Sequence, residues 1–167
     1  MDTNRSITND KERRYASFLS DIALLIQDEH DEISVLANVS AALKEAFGFF
    51  WVGFYLVKEK EGCEPQLYLG PFQGPTACYR IRFGKGVCGS AWQQRQSLVV
   101  LDVEKFPGHI ACSSLSRSEI VVPVYTKDGR VAGVLDIDSP KFSRFSETDK
   151  LGIEDFVRAL ESVISFE

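Results

Sequence analysis

The sequence predicts an α+β domain: a central antiparallel sheet of about six strands, with helices from both ends of the chain packed on one of its faces. Three observations carry this. Apolar residues recur at helical spacing near both termini. From Phe49 to Asp138 the chain is instead β-branched and aromatic in short runs, punctuated by Gly, Pro, Asp and Ser. Between two such runs lies Lys127-Asp128-Gly129-Arg130, an Asp-Gly hairpin signal. A chain of 167 residues suits a single domain, 1–167, able to close a core without disulfide or metal staples.

In order, residues 1–12 are polar and read as a loose N-terminus. Tyr15, Phe18, Leu19, Ile22, Leu25 and Ile26 form the stripe of an amphipathic helix. Asp31 caps a second helix, with Val35, Leu36, Val39, Leu43 and Phe47 on its apolar side and Gly48 at its end. Phe49 to Val57 reads as a strand in which Trp51, Phe54 and Tyr55 are core or a pocket wall. A turn carrying Cys63 leads to a short partner strand, Gln66 to Leu69. Gly70 to Ala77 reads as a loop with Cys78 at its far end, followed by a strand over Tyr79 to Phe83.

Gly84, Gly86 and Gly89 then spell Gly-x-Gly-x-x-Gly ahead of a short helix ending near Gln96. A dinucleotide site also needs an alternating βαβ pattern, which these hairpin-forming strands lack. Ser97 to Val103 is strand-like, Glu104 to Ser118 a loop, and Glu119 to Thr126 and Val131 to Asp138 the arms of the Asp-Gly hairpin. Ser146 and Asp149 offer a capping box for a last helix with Ile153, Phe156, Val157, Leu160, Val163 and Ile164 on its apolar face.

The net charge of −5 and the lack of a run of Lys and Arg argue against a nucleic-acid surface. No stretch is long and apolar enough for a membrane span and no secretory leader is visible, so a cytoplasmic protein is expected. In that compartment Cys63, Cys78, Cys88 and Cys112 are expected as thiols open to transient bridging. They form no Cys-x-x-Cys pair, and zinc held by Cys78, Cys88, Cys112 and His109 is a minor alternative. Cys112 lies in a Gly/Ser-rich loop with His109 and Arg117 close in sequence, either of which would favour a thiolate; an idle loop cysteine is the other reading.

A two-residue turn at Asp128-Gly129 sets Ile120, Val122 and Val124 opposite Ile137, Leu135 and Gly133, an apolar face that must look into the core. The same register sets Glu119 opposite Asp138 on the other face, which Asp136 shares. Three carboxyls so close cannot all ionise cheaply, so at least one is pushed toward its neutral, proton-donating form. Acid catalysis beside a thiol, ammonium binding, a Mg²⁺ or Ca²⁺ site and a solvated acidic end all fit three such groups.

Several longer motifs occur together: Trp-Val-Gly-Phe-Tyr (51–55), Gly-Pro-Phe-Gln-Gly (70–74), Phe-Gly-Lys-Gly-Val-Cys-Gly (83–89), Phe-Pro-Gly-His-Ile-Ala-Cys (106–112), Ser-Arg-Ser-Glu-Ile-Val-Val-Pro (116–123) and Val-Leu-Asp-Ile-Asp-Ser (134–139). With them the chain resembles the free methionine-(R)-sulfoxide reductases, catalytic members of the GAF fold. The resemblance implies a GAF-like domain in which Cys112 attacks the sulfoxide sulfur and becomes a sulfenic acid. Cys78 chiefly, with Cys88 able to participate, would resolve it as a disulfide for thioredoxin to reduce, without metal or organic cofactor. Glu119 is the expected acid, tuned by Asp136 and Asp138, which can also hold the substrate ammonium. The backbone of 113–118, including Ser116, Arg117 and Ser118, would receive its carboxylate, and Trp51 and Tyr55 would wall the methyl side. The family leaves room for a homodimer with contacts on the N-terminal helix. Since GAF domains also serve as ligand-binding or redox-sensing modules, a non-catalytic regulator is the alternative.

Overall fold

The computed structural model describes residues 2–167, with side chains from Ser6 onward. The elements run α1 (Asp2–Ile26), α2 (Glu32–Phe47), β1 (Trp51–Lys58), β2 (Gln66–Gln73), β3 (Arg80–Arg82), α3 (Gly86–Gln94), β4 (Leu98–Val100), β5 (Ser118–Tyr125), β6 (Val131–Ser139) and α4 (Glu147–Val163). The six strands form one antiparallel sheet in the order β3-β2-β1-β6-β5-β4. On one face Val52, Phe54, Ile120, Val122, Leu135 and Ile137 meet the stripes of α1, α2 and α4 in the main core. On the other, Trp51, Tyr55, Val121 and Val134 pack with Ile81 and with Val87 and Ala91 of α3.

The predicted caps form. Asp31 accepts from the Ser34 N–H at 2.9 Å, and Gly48 closes α2 in the left-handed region. At the start of α4 the Ser146 N–H donates to Asp149 at 2.8 Å. Asp149 is also a long-range tie, accepting from Lys11 Nζ at 2.7 Å and from the Tyr15 hydroxyl at 2.8 Å. Burial would raise its pKa, but Lys11, the Ser146 N–H and Tyr15 together hold the carboxyl below its usual range.

Helix α1 begins at Asp2, and Lys11 and Tyr15 find a buried partner on α4 that their own segment does not reveal. Met1 lies outside the described residues. Leu25, placed in the apolar stripe by spacing, faces solvent. Gly70 to Gln73 is strand rather than loop: β2 continues past a bulge in its pairing with β1. There Gly53 faces Phe72 so closely that an added Cβ would sit 2.2 Å from the phenylalanine's. Strand β4 is three residues long, and a short 3₁₀ turn follows at Val103–Lys105.

The β5–β6 turn also differs. Thr126 N–H donates to Arg130 O at 2.8 Å, closing a three-residue loop with Gly129 at φ 86°. A bulge between Val124 and Tyr125 then takes up one residue, so the pairs from Val124–Gly133 to Glu119–Asp138 fall in the register the shorter turn predicts.

Candidate active site

Strand alternation builds the floor. In β1, Trp51 pairs with Asp138 and Gly53 with Asp136; across β6, Glu119 pairs with Asp138. Trp51, Tyr55, Glu119, Asp136 and Asp138 therefore share the face away from the main core. Above them Cys88 arrives on the first turn of α3, and residues 76–77 and 109–113 form the roof of a cavity of about 50 Å³. Gly86 lets the roof close: at φ +61° its missing Cβ would lie 3.2 Å from Ile110.

Cys78 and Cys112 are joined by a disulfide at the mouth, their Cα atoms 5.5 Å apart. Cys112 is exposed and Cys78 half-buried, whereas Cys88 is a buried free thiol and Cys63 an exposed one on a distant turn. Two aromatics hold the segment that carries Cys78. Trp51 Nε1 donates to Pro75 O at 3.0 Å, and the Tyr55 hydroxyl donates to Cys78 O at 2.9 Å. Their polar ends thus being engaged, both present ring surface to the cavity.

Glu119 and Asp136 are 5% and 6% exposed, so little water reaches either to solvate a charge. Burial, then the charges of Asp136 and Asp138, push the Glu119 carboxyl well above the usual range. Burial, then Asp136, does the same to Asp138. Asp136 is raised by burial but held back by hydrogen bonds with Glu119, Cys88 and Asp138, which makes it the acceptor of the group. Its buried Oδ1 accepts no hydrogen bond, which leaves it open to a donor from within the cavity. The three cannot all ionise together, and Asp136 is the one whose hydrogen bonds favour its charged form.

Cys88 donates to Glu119 Oε1 at 3.9 Å. Burial, then the neighbouring carboxylates, hold it as a thiol. His109 Nε2 lies 3.8 Å from Glu119 Oε2, and burial lowers the imidazole's pKa from its ordinary value.

Cys88, Glu119 and Asp136 offer ligand atoms within 4.8 Å of one another. Protonated oxygens and a protonated thiol are donors, however, and a hard cation prefers a set made of oxygen alone. The four-ligand zinc set does not assemble here, because two of its sulfurs are bonded to each other. Ser116 lines the cavity. Arg117 and Ser118 do not: the Arg117 guanidinium donates to the carbonyls of Ser114 and Ser116, and the Ser118 hydroxyl to Lys141 O, on the opposite face.

A model of the GAF domain family matches residues 29–164. The free methionine-R-sulfoxide reductase of Escherichia coli (strain K12) is 43% identical over 90% of this chain and 88% of its own length. The chain belongs to that family. Within the GAF fold, it is also similar to GAF domain-containing protein A of Dictyostelium discoideum, 56% identical over 91% of this chain and 93% of that protein. The X-ray structure of the Neisseria meningitidis free methionine-R-sulfoxide reductase in complex with its substrate superposes with a TM-score of 0.84 and 53% identity, covering 89% of this chain and 86% of that one.

In this reductase-family site the contact that sequence spacing misses is His109 on Glu119. Three residues before Cys112, the histidine reads as a partner for the thiol; the loop instead turns it onto the acid. Ile110, Thr76 and Ala77 are equally invisible, being short-range neighbours of the cysteines with no chemistry of their own. The available signal was that one of only two histidines in the chain lies in the Cys112 loop.

Proposed function

We propose that this chain reduces free L-methionine-(R)-sulfoxide to L-methionine, with Cys112 as nucleophile, Cys78 as resolving thiol and thioredoxin as the electron source. The observation that carries it is the Cys78–Cys112 disulfide at the mouth of a cavity floored by Glu119, Asp136 and Asp138. In the reduced protein the Cys112 thiolate attacks the sulfoxide sulfur while neutral Glu119 protonates the departing oxygen. The hydroxyl then passes from the methionine sulfur to the Cys112 sulfur as the newly formed S–S bond breaks, so that methionine leaves with its lone pair restored and Cys112 is left as a sulfenic acid. Cys78 then displaces that oxygen as water, giving the disulfide.

Cys78 suits the resolving role better than Cys88, which is held protonated and engaged with Glu119. Trp51 and Tyr55 offer ring faces to the methyl and sulfur end. Asp136 and Asp138 suit the ammonium. Among the described residues the N–H groups of Ser113, Ser114 and Ser116 donate to no protein acceptor, which suits the carboxylate. A peptide-bound residue has neither terminal charge to offer. The cycle runs on thiol electrons and calls for no metal or organic cofactor.

The test is thioredoxin-coupled NADPH consumption with the R epimer, and the S epimer as control. Turnover should vanish in Cys112→Ser and lose its thioredoxin dependence in Cys78→Ser. A wild-type protein that binds the sulfoxide but never releases methionine would overturn the proposal in favour of a sensory module.

A further inference from the structure

From Pro65 to Leu101 and from Lys105 to Ser118 the chain carries six Lys and Arg residues and none of its 24 Asp and Glu. Neither stretch is a basic cluster in sequence. One holds Cys78 and the other Cys112, however, and the disulfide joins them with Cα atoms 5.5 Å apart. A chain of net charge −5 thus carries its disulfide on two stretches that hold no Asp or Glu and are separated only by Asp102, Val103 and Glu104, while the remainder has 13 Lys and Arg against 24 acids. Arg82 and Lys85 are exposed, and neither pairs with an acid among the described residues.

The same surface is apolar beside the sulfurs. Tyr79, next to Cys78, is 81% exposed, and Leu115, three residues past Cys112, is 58% exposed. Aromatic anchors ringed by charge of one sign are what an interface with an oppositely charged partner presents.

We infer that this face, with Tyr79 and Leu115 flanking the disulfide and Arg82 and Lys85 at its rim, is the docking surface for a protein dithiol reductase that is acidic around its own thiols. The inference rests on the reductase reading above and names the partner's contact surface. Once docked, a thiolate of the partner attacks one sulfur of Cys78–Cys112, breaking that bond and forming a mixed disulfide. The partner's second thiol then displaces the chain's cysteine, leaving Cys78 and Cys112 reduced and the partner oxidised. The basic surface raises the encounter rate and the apolar side chains hold the complex while exchange proceeds.

The test separates a protein reductant from a small one. Tyr79→Ser and the double variant Arg82→Glu/Lys85→Glu are assayed with methionine sulfoxide, using either thioredoxin or dithiothreitol as reductant. The KM for thioredoxin should rise about tenfold in the double variant at low salt, with the difference shrinking toward 0.5 M NaCl, and about fivefold in Tyr79→Ser at any salt. Turnover with dithiothreitol, which needs no docking surface, should match wild type in both. An unchanged KM for thioredoxin overturns the docking inference alone, and so does a parallel loss with dithiothreitol, which would make these residues part of the pocket. No wild-type turnover with either reductant overturns the reductase reading beneath it.

Discussion

Replacing Glu119 by Gln should move activity and stability in opposite directions. The amide keeps the shape and can donate its N–H to Asp136, but supplies no acid proton to the sulfoxide oxygen. A general acid contributes about 10²–10⁴-fold, so methionine formation by pre-reduced protein should slow by that factor. Stability follows from the raised pKa. In the unfolded chain the carboxyl ionises near its ordinary 4.5, whereas burial and the charges of Asp136 and Asp138 keep it protonated in the fold. As pH rises above 4.5 the unfolded state alone releases this proton, and folding loses ~1.4 kcal/mol per pH unit until the folded group ionises too.

A Glu119 that stays neutral in the fold up to pH 7 costs it up to ~3 kcal/mol, a loss that Glu119→Gln does not suffer. Urea unfolding followed by tryptophan fluorescence, with both proteins in the disulfide form, checks this. The variant's midpoint should lie about 1–3 M above wild type at pH 7 and the gap should close near pH 4. A gap of the same size at both pH values would mean that Glu119 is charged in the folded protein, and would refute its role as the acid.

Asp136→Asn removes the largest contribution after burial to the raised Glu119 pKa, so the alkaline limb of kcat/KM against pH should shift to lower pH; an unmoved limb would show that Asp136 carries no charge there. Gly86→Ala forces a side chain into φ +61° and against Ile110, so it should lose about 1–3 kcal/mol of stability in denaturant titration and weaken sulfoxide binding with it. Gly152→Ala would place its Cβ 2.3 Å from the Tyr15 ring, prising α1 from α4 and lowering Tm by several degrees, while sulfoxide reduction at 20 °C stays near wild type.

Local rules read the caps of α2 and α4 and the two-sided strands well, since those depend on neighbours a few residues apart. The hairpin is subtler. Sequence predicts a two-residue turn, the chain makes a three-residue loop, and the bulge beside Tyr125 returns the register, so the acid trio is placed correctly through an incorrect turn. What escaped was tertiary. The partner of Lys11 and Tyr15 is Asp149, more than 130 residues away, and no local pattern says that the polar start of the chain is anchored. His109, Arg117 and Ser118 sit in or beside a loop whose path is set by α3 and the 139–144 segment, so their closeness to Cys112 in sequence did not determine what they touch.

The disulfide has a second effect that is mechanical. It bridges residues 34 apart, and closing a loop of that size removes ~4 kcal/mol of conformational freedom from the unfolded chain. In the proposed cycle this cross-link is made and broken at every turnover, so resistance to unfolding rises and falls with the supply of electrons. Starved of reductant, the protein waits in its most durable form; well supplied, it spends more time in a form that proteases and heat attack more easily.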